Sequence, residues 1–112
     1  MNRFFLLVAG LAVCTINPVN ASDRTTVCAH YAANYGWSDG YKVEATVSSG
    51  AELNHATGSF NYSPFDKYVV IFWSADQASV IKLDAPYLSA IETEGEDQQG
   101  RRWKVAETDL CL

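Results

Sequence analysis

The chain is predicted to be all-β, a small antiparallel β-barrel or sandwich of six to eight short strands closed by one disulfide. Three features carry this expectation: short apolar runs that alternate with period two, a dense aromatic and β-branched run at residues 67–73, and cysteines near both ends of the body, Cys28 and Cys111. Alternation of this kind places successive side chains on opposite faces of a strand, one wet and one buried.

Residues 1–21 read as an export signal. A short leading stretch carries Arg3 and no acid, Phe4 to Val13 is apolar, Asn17-Pro18 breaks a helix, and Val19-Asn20-Ala21 supplies a small-residue exit with cleavage before Ser22. The apolar run is about half the ~20 residues a membrane-spanning helix requires, so no membrane span is expected. What remains, residues 22–112, is expected to be a single exported domain, periplasmic or secreted. A rival reading makes Cys14 a lipid-attachment cysteine; Val13 before it suits that chemistry poorly, since a small residue is preferred there.

If Cys14 leaves with the signal, Cys28 and Cys111 form an even pair in an oxidising compartment, and one disulfide is expected. Closing so long a loop removes unfolded-state entropy worth about 4–5 kcal/mol in the chain-entropy account, a large share of a small domain's stability. There is no C-x-x-C motif, and neither thiol has a cationic neighbour beside it in the sequence, so a redox-active role is disfavoured.

Along the body, residues 25–36 read equally as a first strand or as a short helix. Tyr41 to Val47 is expected to be a strand with Tyr41, Val43, Ala45 and Val47 on one face. Ser48-Ser49-Gly50 reads as a turn and Ala51 to His55 as a short partner strand. Lys67 to Trp73 is apolar on both faces, as in a central or barrel strand, and both Ile71 and Phe72 are expected in the core. Ser74-Ala75-Asp76-Gln77 then turns the chain into Ala78 to Leu83, giving a hairpin over 67–83. After Asp84-Ala85-Pro86, Tyr87 to Glu92 is expected to be a further strand, 94–100 an acidic loop, and Arg102 to Ala106 the last strand with Trp103 and Val105 on one face.

The net charge of −5 becomes one unit more negative once Arg3 is removed. Phosphate recognition depends on clustered Lys and Arg, so nucleic acid is not an expected partner and a basic protein is the better electrostatic match. Catalytic and metal motifs are absent from the sequence: there is no G-x-S-x-G, and the acidic run lacks the order of a calcium loop. Two histidines, His30 and His55, without ligand spacing read as surface residues. A non-enzymatic binding protein with no cofactor or metal is therefore expected. Arg101, Arg102 and Lys104 are expected to balance the acidic loop locally. Tyr31, Tyr35, Trp37 and Tyr41 either fill the core of a small domain or stack on a sugar or a protein partner.

One segment carries a family resemblance. Val70-Ile71-Phe72-Trp73-Ser74-Ala75-Asp76-Gln77-Ala78 follows the order Tyr-x-Phe-Trp-Ser-Lys-Gly-Asp-Glu-Ala, and Thr57-Gly58-Ser59-Phe60-Asn61-Tyr62 is similar to a preceding Ser-Gly-x-x-Tyr loop. In these segments the chain resembles the periplasmic and membrane-bound inhibitors of c-type lysozyme. The resemblance implies a small antiparallel barrel, a disulfide from early in the domain to its C-terminus, and a lysozyme or another basic exported protein as partner. It further implies a partner surface made of Ser59 and Tyr62 with the turn Ser74, Ala75 and Asp76. At that turn the family's lysine is missing, and an aspartate offered to a carboxylate pair meets like charge. Residues 85–107 run longer than the usual family ending and are a candidate for a different partner surface. A face shared by exposed Trp37 and Tyr41 would suit sugar or peptidoglycan binding, whereas a 57–63 loop projecting beside 74–77 would suit insertion into an enzyme cleft; an immunity or host-interaction protein with a partner of its own is the third expectation.

Overall fold

A computed structural model describes residues 23–112; the segment expected to be an export signal and Cys14 lie outside the described residues. Seven strands and one helix follow in the order β1 (Asp23–Ala33), β2 (Gly36–Trp37), β3 (Tyr41–Ser49), α1 (Gly50–Thr57), β4 (Lys67–Ser74), β5 (Gln77–Leu83), β6 (Thr93–Glu96) and β7 (Arg102–Ala106). All pairings are antiparallel. The order is β2-β1-β3-β4-β5-β6-β7, and β1 also pairs with β7, so six strands close into a barrel and β2 is an extra ribbon on β1. Closure removes the unpaired strand edges that an open sheet of this size would expose.

The ambiguous segment 25–36 is resolved as strand, because β1 is held on both sides, by β3 and by β7. Its inward residues Val27 and Ala29 meet Val69, Ile71, Ile81, Leu83 and Val105 in the core, with Ala45 and Trp103. The hairpin expected at 67–83 forms with Ser74 opposite Gln77, and the register shifts between Phe72 and Ser74. That parity puts Ile71 wholly inside and leaves Phe72 64% exposed, so Phe72 is not the core residue its sequence neighbourhood suggests. The last strand buries Trp103 and Val105 as expected.

Two elements differ from the sequence expectation. Residues 51–55 are helical, not a strand. Ser49 Oγ accepts from Glu52 N at 3.1 Å while Glu52 Oε1 accepts from Ser49 N at 2.7 Å, a reciprocal capping box, and Gly58 closes the helix at φ 65°. Gly50 is required there, since a Cβ on it would lie 1.8 Å from Ser63 O. Residues 87–92 form no strand, and the strand instead falls on 93–96, in the first half of the expected acidic loop. Segment 84–92 is anchored by Leu88 against the core and by Glu107 N donating to Ser89 O at 2.7 Å. The acidic strand is tolerated because Glu94 and Glu96 point outward to Arg102, which also meets Asp84.

Cys28 and Cys111 are joined by a disulfide that ties the C-terminus to β1. Gly40 passes directly beside it, where a Cβ would sit 2.7 Å from Cys111 Sγ. No helix among the described residues is long and apolar enough to cross a membrane.

Candidate aromatic cleft at the barrel seam

The inward column of each strand continues past the aliphatic core into a layer of aromatic rings. Tyr31 follows Val27 and Ala29 on β1, Tyr41 lies opposite Ala29 on β3, Trp73 follows Val69 and Ile71 on β4, and Trp103 precedes Val105 on β7. The four rings form a closed circuit. Tyr31 stacks on Tyr41 at 6.1 Å and meets Trp103 edge-on at 5.7 Å, while Trp73 stacks on Trp103 at 6.0 Å and meets Tyr41 edge-on at 5.7 Å. Trp103 is buried, whereas Tyr41 and Trp73 are 41% and 38% exposed, so the layer has a fixed floor and open faces.

The opening arises from the barrel's seam. β5 and β6 pair only at Lys82–Glu96 and Leu83–Gly95, and toward Gln77 the two chains separate. Across the gap the Gln98 side chain acts in place of a strand: its Oε1 accepts from Val80 N at 2.9 Å and its Nε2 donates to Ala78 O at 2.8 Å. The resulting cleft encloses about 380 Å³ and is lined by the four rings together with Gln77, Ala78, Ser79, Asp97, Gln98, Gln99 and Arg101. Volumes near 300 Å³ and above are in the range of small-molecule sites.

The rim is rigid for identifiable reasons. Asp97 Oδ1 accepts from Gln99 N and Arg101 N, both at 2.9 Å, and Oδ2 accepts from Trp103 Nε1 at 2.9 Å. Partial burial pushes the Asp97 carboxyl up, but the bonds from Trp103, Arg101 and Gln99 and the nearby Arg101 charge outweigh it and hold the group below its usual range. Trp73 Nε1 donates to Ser79 Oγ at 2.9 Å. The Arg101 guanidinium lies 5.0 Å from the centre of the Tyr31 ring, a cation–π stack at the mouth. Hydrogen bonding with Tyr31 and then its charge push the Tyr41 hydroxyl above its ordinary range.

The residues singled out by the sequence are placed elsewhere. Ser59 Oγ is 2.8 Å from Thr57 Oγ1 just after the helix. Tyr62 is clamped through its backbone to both ends of the Asn54 amide, and its ring meets Tyr68 edge-on at 5.4 Å. Ser74, Ala75 and Asp76 form the tip of the β4–β5 hairpin, where Ser74 Oγ donates to Asp76 Oδ1 at 3.0 Å. Tyr68 and Ser74 mark opposite ends of β4, so the 57–63 loop and the 74–77 turn are about 20 Å apart along the strand. The structure does not set them side by side. Nor do Trp37 and Tyr41 share a face: Trp37 lies opposite Ala32, on the outside, with Lys104 Nζ 4.6 Å from its ring centre. Tyr35 is fully exposed. Of the three expected balancing cations Arg102 makes the ion pairs with the acids, Arg101 acts on Asp97 through its nearby charge while stacking on Tyr31, and Lys104 lies over the Trp37 ring.

His30 is not the plain surface residue expected; it is partly buried, with Nδ1 2.8 Å from Ser38 O and Nε2 3.9 Å from Glu92 Oε2. Among the described residues, no three of the His, Cys, Asp and Glu side chains converge to hold a metal ion. Trp73, Gln98, Gln99, Arg101 and Trp103 were absent from the sequence-based candidates. For Trp73 and Trp103 the available signal was parity, each standing two residues from a core position, Ile71 or Val105, on its own strand; Gln98, Gln99 and Arg101 lie outside the strands and carried no such signal. No protein family, curated protein or solved structure matches the chain.

Proposed function

We propose that this chain is a non-enzymatic, exported binding protein that takes carbohydrate, with a peptidoglycan-type glycan as the favoured ligand, in the cleft at the barrel seam. The observation carrying the reading is the four-ring layer with Tyr41 and Trp73 open beside the Gln77, Gln98 and Gln99 side chains. Ring faces stack on the C–H surfaces of a sugar, and primary amides offer both donors and acceptors to hydroxyl and acetamido groups. Asp97 and Arg101 bring one charge of each sign, so the lining suits a ligand of little net charge. A pull-down on purified peptidoglycan, read beside Tyr41→Ala and Trp73→Ala, tests it. Retention of the parent protein and loss in both variants is expected. No retention of the parent on peptidoglycan or on a panel of polysaccharides would sink the reading.

A second reading keeps the resemblance to lysozyme inhibitors, with a basic protein as partner. It is favoured by Phe60 and Phe65, 97% and 99% exposed on either side of Tyr62, which make the loop after α1 a projecting apolar surface. Ser59 and Tyr62 would act there without help from Ser74, Ala75 and Asp76, given their separation along β4. Lytic assays with c-type lysozymes decide this reading: inhibition that Phe60→Ala and Phe65→Ala abolish and Ala75→Lys leaves unchanged supports it, and an absence of inhibition removes it.

A further inference from the structure

We infer that the ligand is a linear oligosaccharide laid along β5, with a second subsite on the outer side of Gln98. This rests on the carbohydrate reading and adds the length and direction of the ligand. A second cleft of about 520 Å³ lies between the loop after α1 and β5, lined by Asn61, Tyr62, Tyr68, Val80 and Lys82 on one side and by Glu96, Asp97 and Gln98 on the other. Asp97 and Gln98 also line the aromatic cleft, so the two clefts meet across these two residues. From Ala78 to Lys82 the strand runs about 13 Å, a span longer than a single sugar ring.

The second cleft repeats the aromatic and amide groups of the first in a more acidic setting, with Asp84, Glu96 and Asp97 in its lining beside the one ammonium of Lys82. Tyr62 stands on Tyr68, whose hydroxyl accepts from Ser63 N at 2.9 Å, and around this pair are an amide from Asn61 and the Lys82 ammonium. Gln98 determines which polymer fits. Its amide already occupies Val80 N and Ala78 O, the two backbone groups an added peptide strand would need, so an extended peptide would have to break both bonds. A glycan needs neither group and can cross the amide while using its free lone pair and second hydrogen.

Titration of Trp fluorescence with N-acetylglucosamine oligomers of one to six units tests the inference. Affinity should climb with length as the second subsite fills, then level off. Tyr62→Ala should remove the climb, about tenfold at the longest oligomers, and leave the shortest binding oligomer unchanged. Lys82→Ala, which breaks only an exposed ion pair to Asp66 at 3.5 Å, tests the same subsite if the tyrosine variant does not fold. Affinity independent of length, or equal loss at all lengths in both variants, overturns the second subsite while the aromatic cleft stands. Failure of every oligomer to bind overturns both. Displacement of Gln98 from Val80 by an extended peptide, seen as a shift of the Val80 amide resonance, overturns the inference in favour of strand addition.

Discussion

Trp73 and Trp103 stack at 6.0 Å with their planes 21° apart, and each indole N–H is held separately, Trp73 by Ser79 Oγ and Trp103 by Asp97 Oδ2. The pair joins the hairpin tip of β4–β5 to the last strand, so one ring serves the core and the other the cleft. Trp103→Ala should cost about 3–5 kcal/mol in denaturant melts, because a buried aromatic leaves a cavity and an unpaired Asp97 oxygen. Trp73→Ala, more exposed, should cost roughly 1–2 kcal/mol yet abolish glycan retention. Equal destabilisation by the two would mean that the layer is simply core.

The parity of β4 predicts a sharp difference between neighbours. Ile71 is fully buried among Val27, Val69 and Ile81, whereas Phe72 is 64% exposed. Ile71→Ala should cost about 2–5 kcal/mol, and Phe72→Ala less than about 1 kcal/mol. Similar losses for the two would place Phe72 against a covering surface.

Asp97 makes stability depend on acidity. Its carboxyl titrates below the unfolded value of about 3.9 through its bonds from Trp103, Arg101 and Gln99. Its contribution is therefore complete above that pH and is lost as pH falls through the folded value. Parent protein should lose midpoint stability below about pH 4 more steeply than Asp97→Asn, whose amide is already uncharged. Parallel profiles for the two proteins in urea melts between neutral and acid pH would exclude this carboxyl as the source.

Much of the barrel was legible in the sequence because its signals are local. The Lys67–Leu83 hairpin is a β-branched run, a polar turn and a second run, and the Trp103–Val105 face follows from simple alternation. The helix was concealed by the same residues that cap it: Ser48-Ser49-Gly50 reads as a turn until Glu52 is seen to bond back to Ser49. The strand at 93–96 was concealed by its charge. It forms because Gly95 lets the chain pass close to Lys82, where a Cβ would lie 2.6 Å from the Lys82 carbonyl oxygen, and because Arg102 gathers the flanking carboxylates. The cleft was the least legible part. Its rings come from four strands, and only the register of a closed barrel brings Tyr31 beside Trp103 and Tyr41 beside Trp73.

The disulfide joins β1 to a C-terminus with little other anchorage, Gly40 N donating to Leu112 O at 3.1 Å being one such tie. Cys28→Ala with Cys111→Ala should lower stability by about 2–5 kcal/mol and leave residues 108–112, beyond the Glu107 tie to Ser89, open to proteolysis. A double variant as stable as the parent, with its C-terminus still protected, would show that backbone bonds alone secure that end.

Gln98 is the last test, since one side chain stands in for a missing length of strand. Removing it by Gln98→Ala leaves Val80 N–H and Ala78 C=O without their partner, and two such bonds are together worth about 1–3 kcal/mol. The bared edge of β5 also becomes a template for pairing with a second chain. Gln98→Glu keeps an acceptor for Val80 but presents a carboxylate to the Ala78 carbonyl, so it should restore Val80 protection only in part. Amide hydrogen exchange at Val80 reads both effects: fast exchange in Gln98→Ala, intermediate in Gln98→Glu and slow in the parent is the expected order, with concentration-dependent dimerisation in the alanine variant. Slow exchange at Val80 in all three would mean that the seam is closed by the turn at 97–101 and that Gln98 merely rests against it.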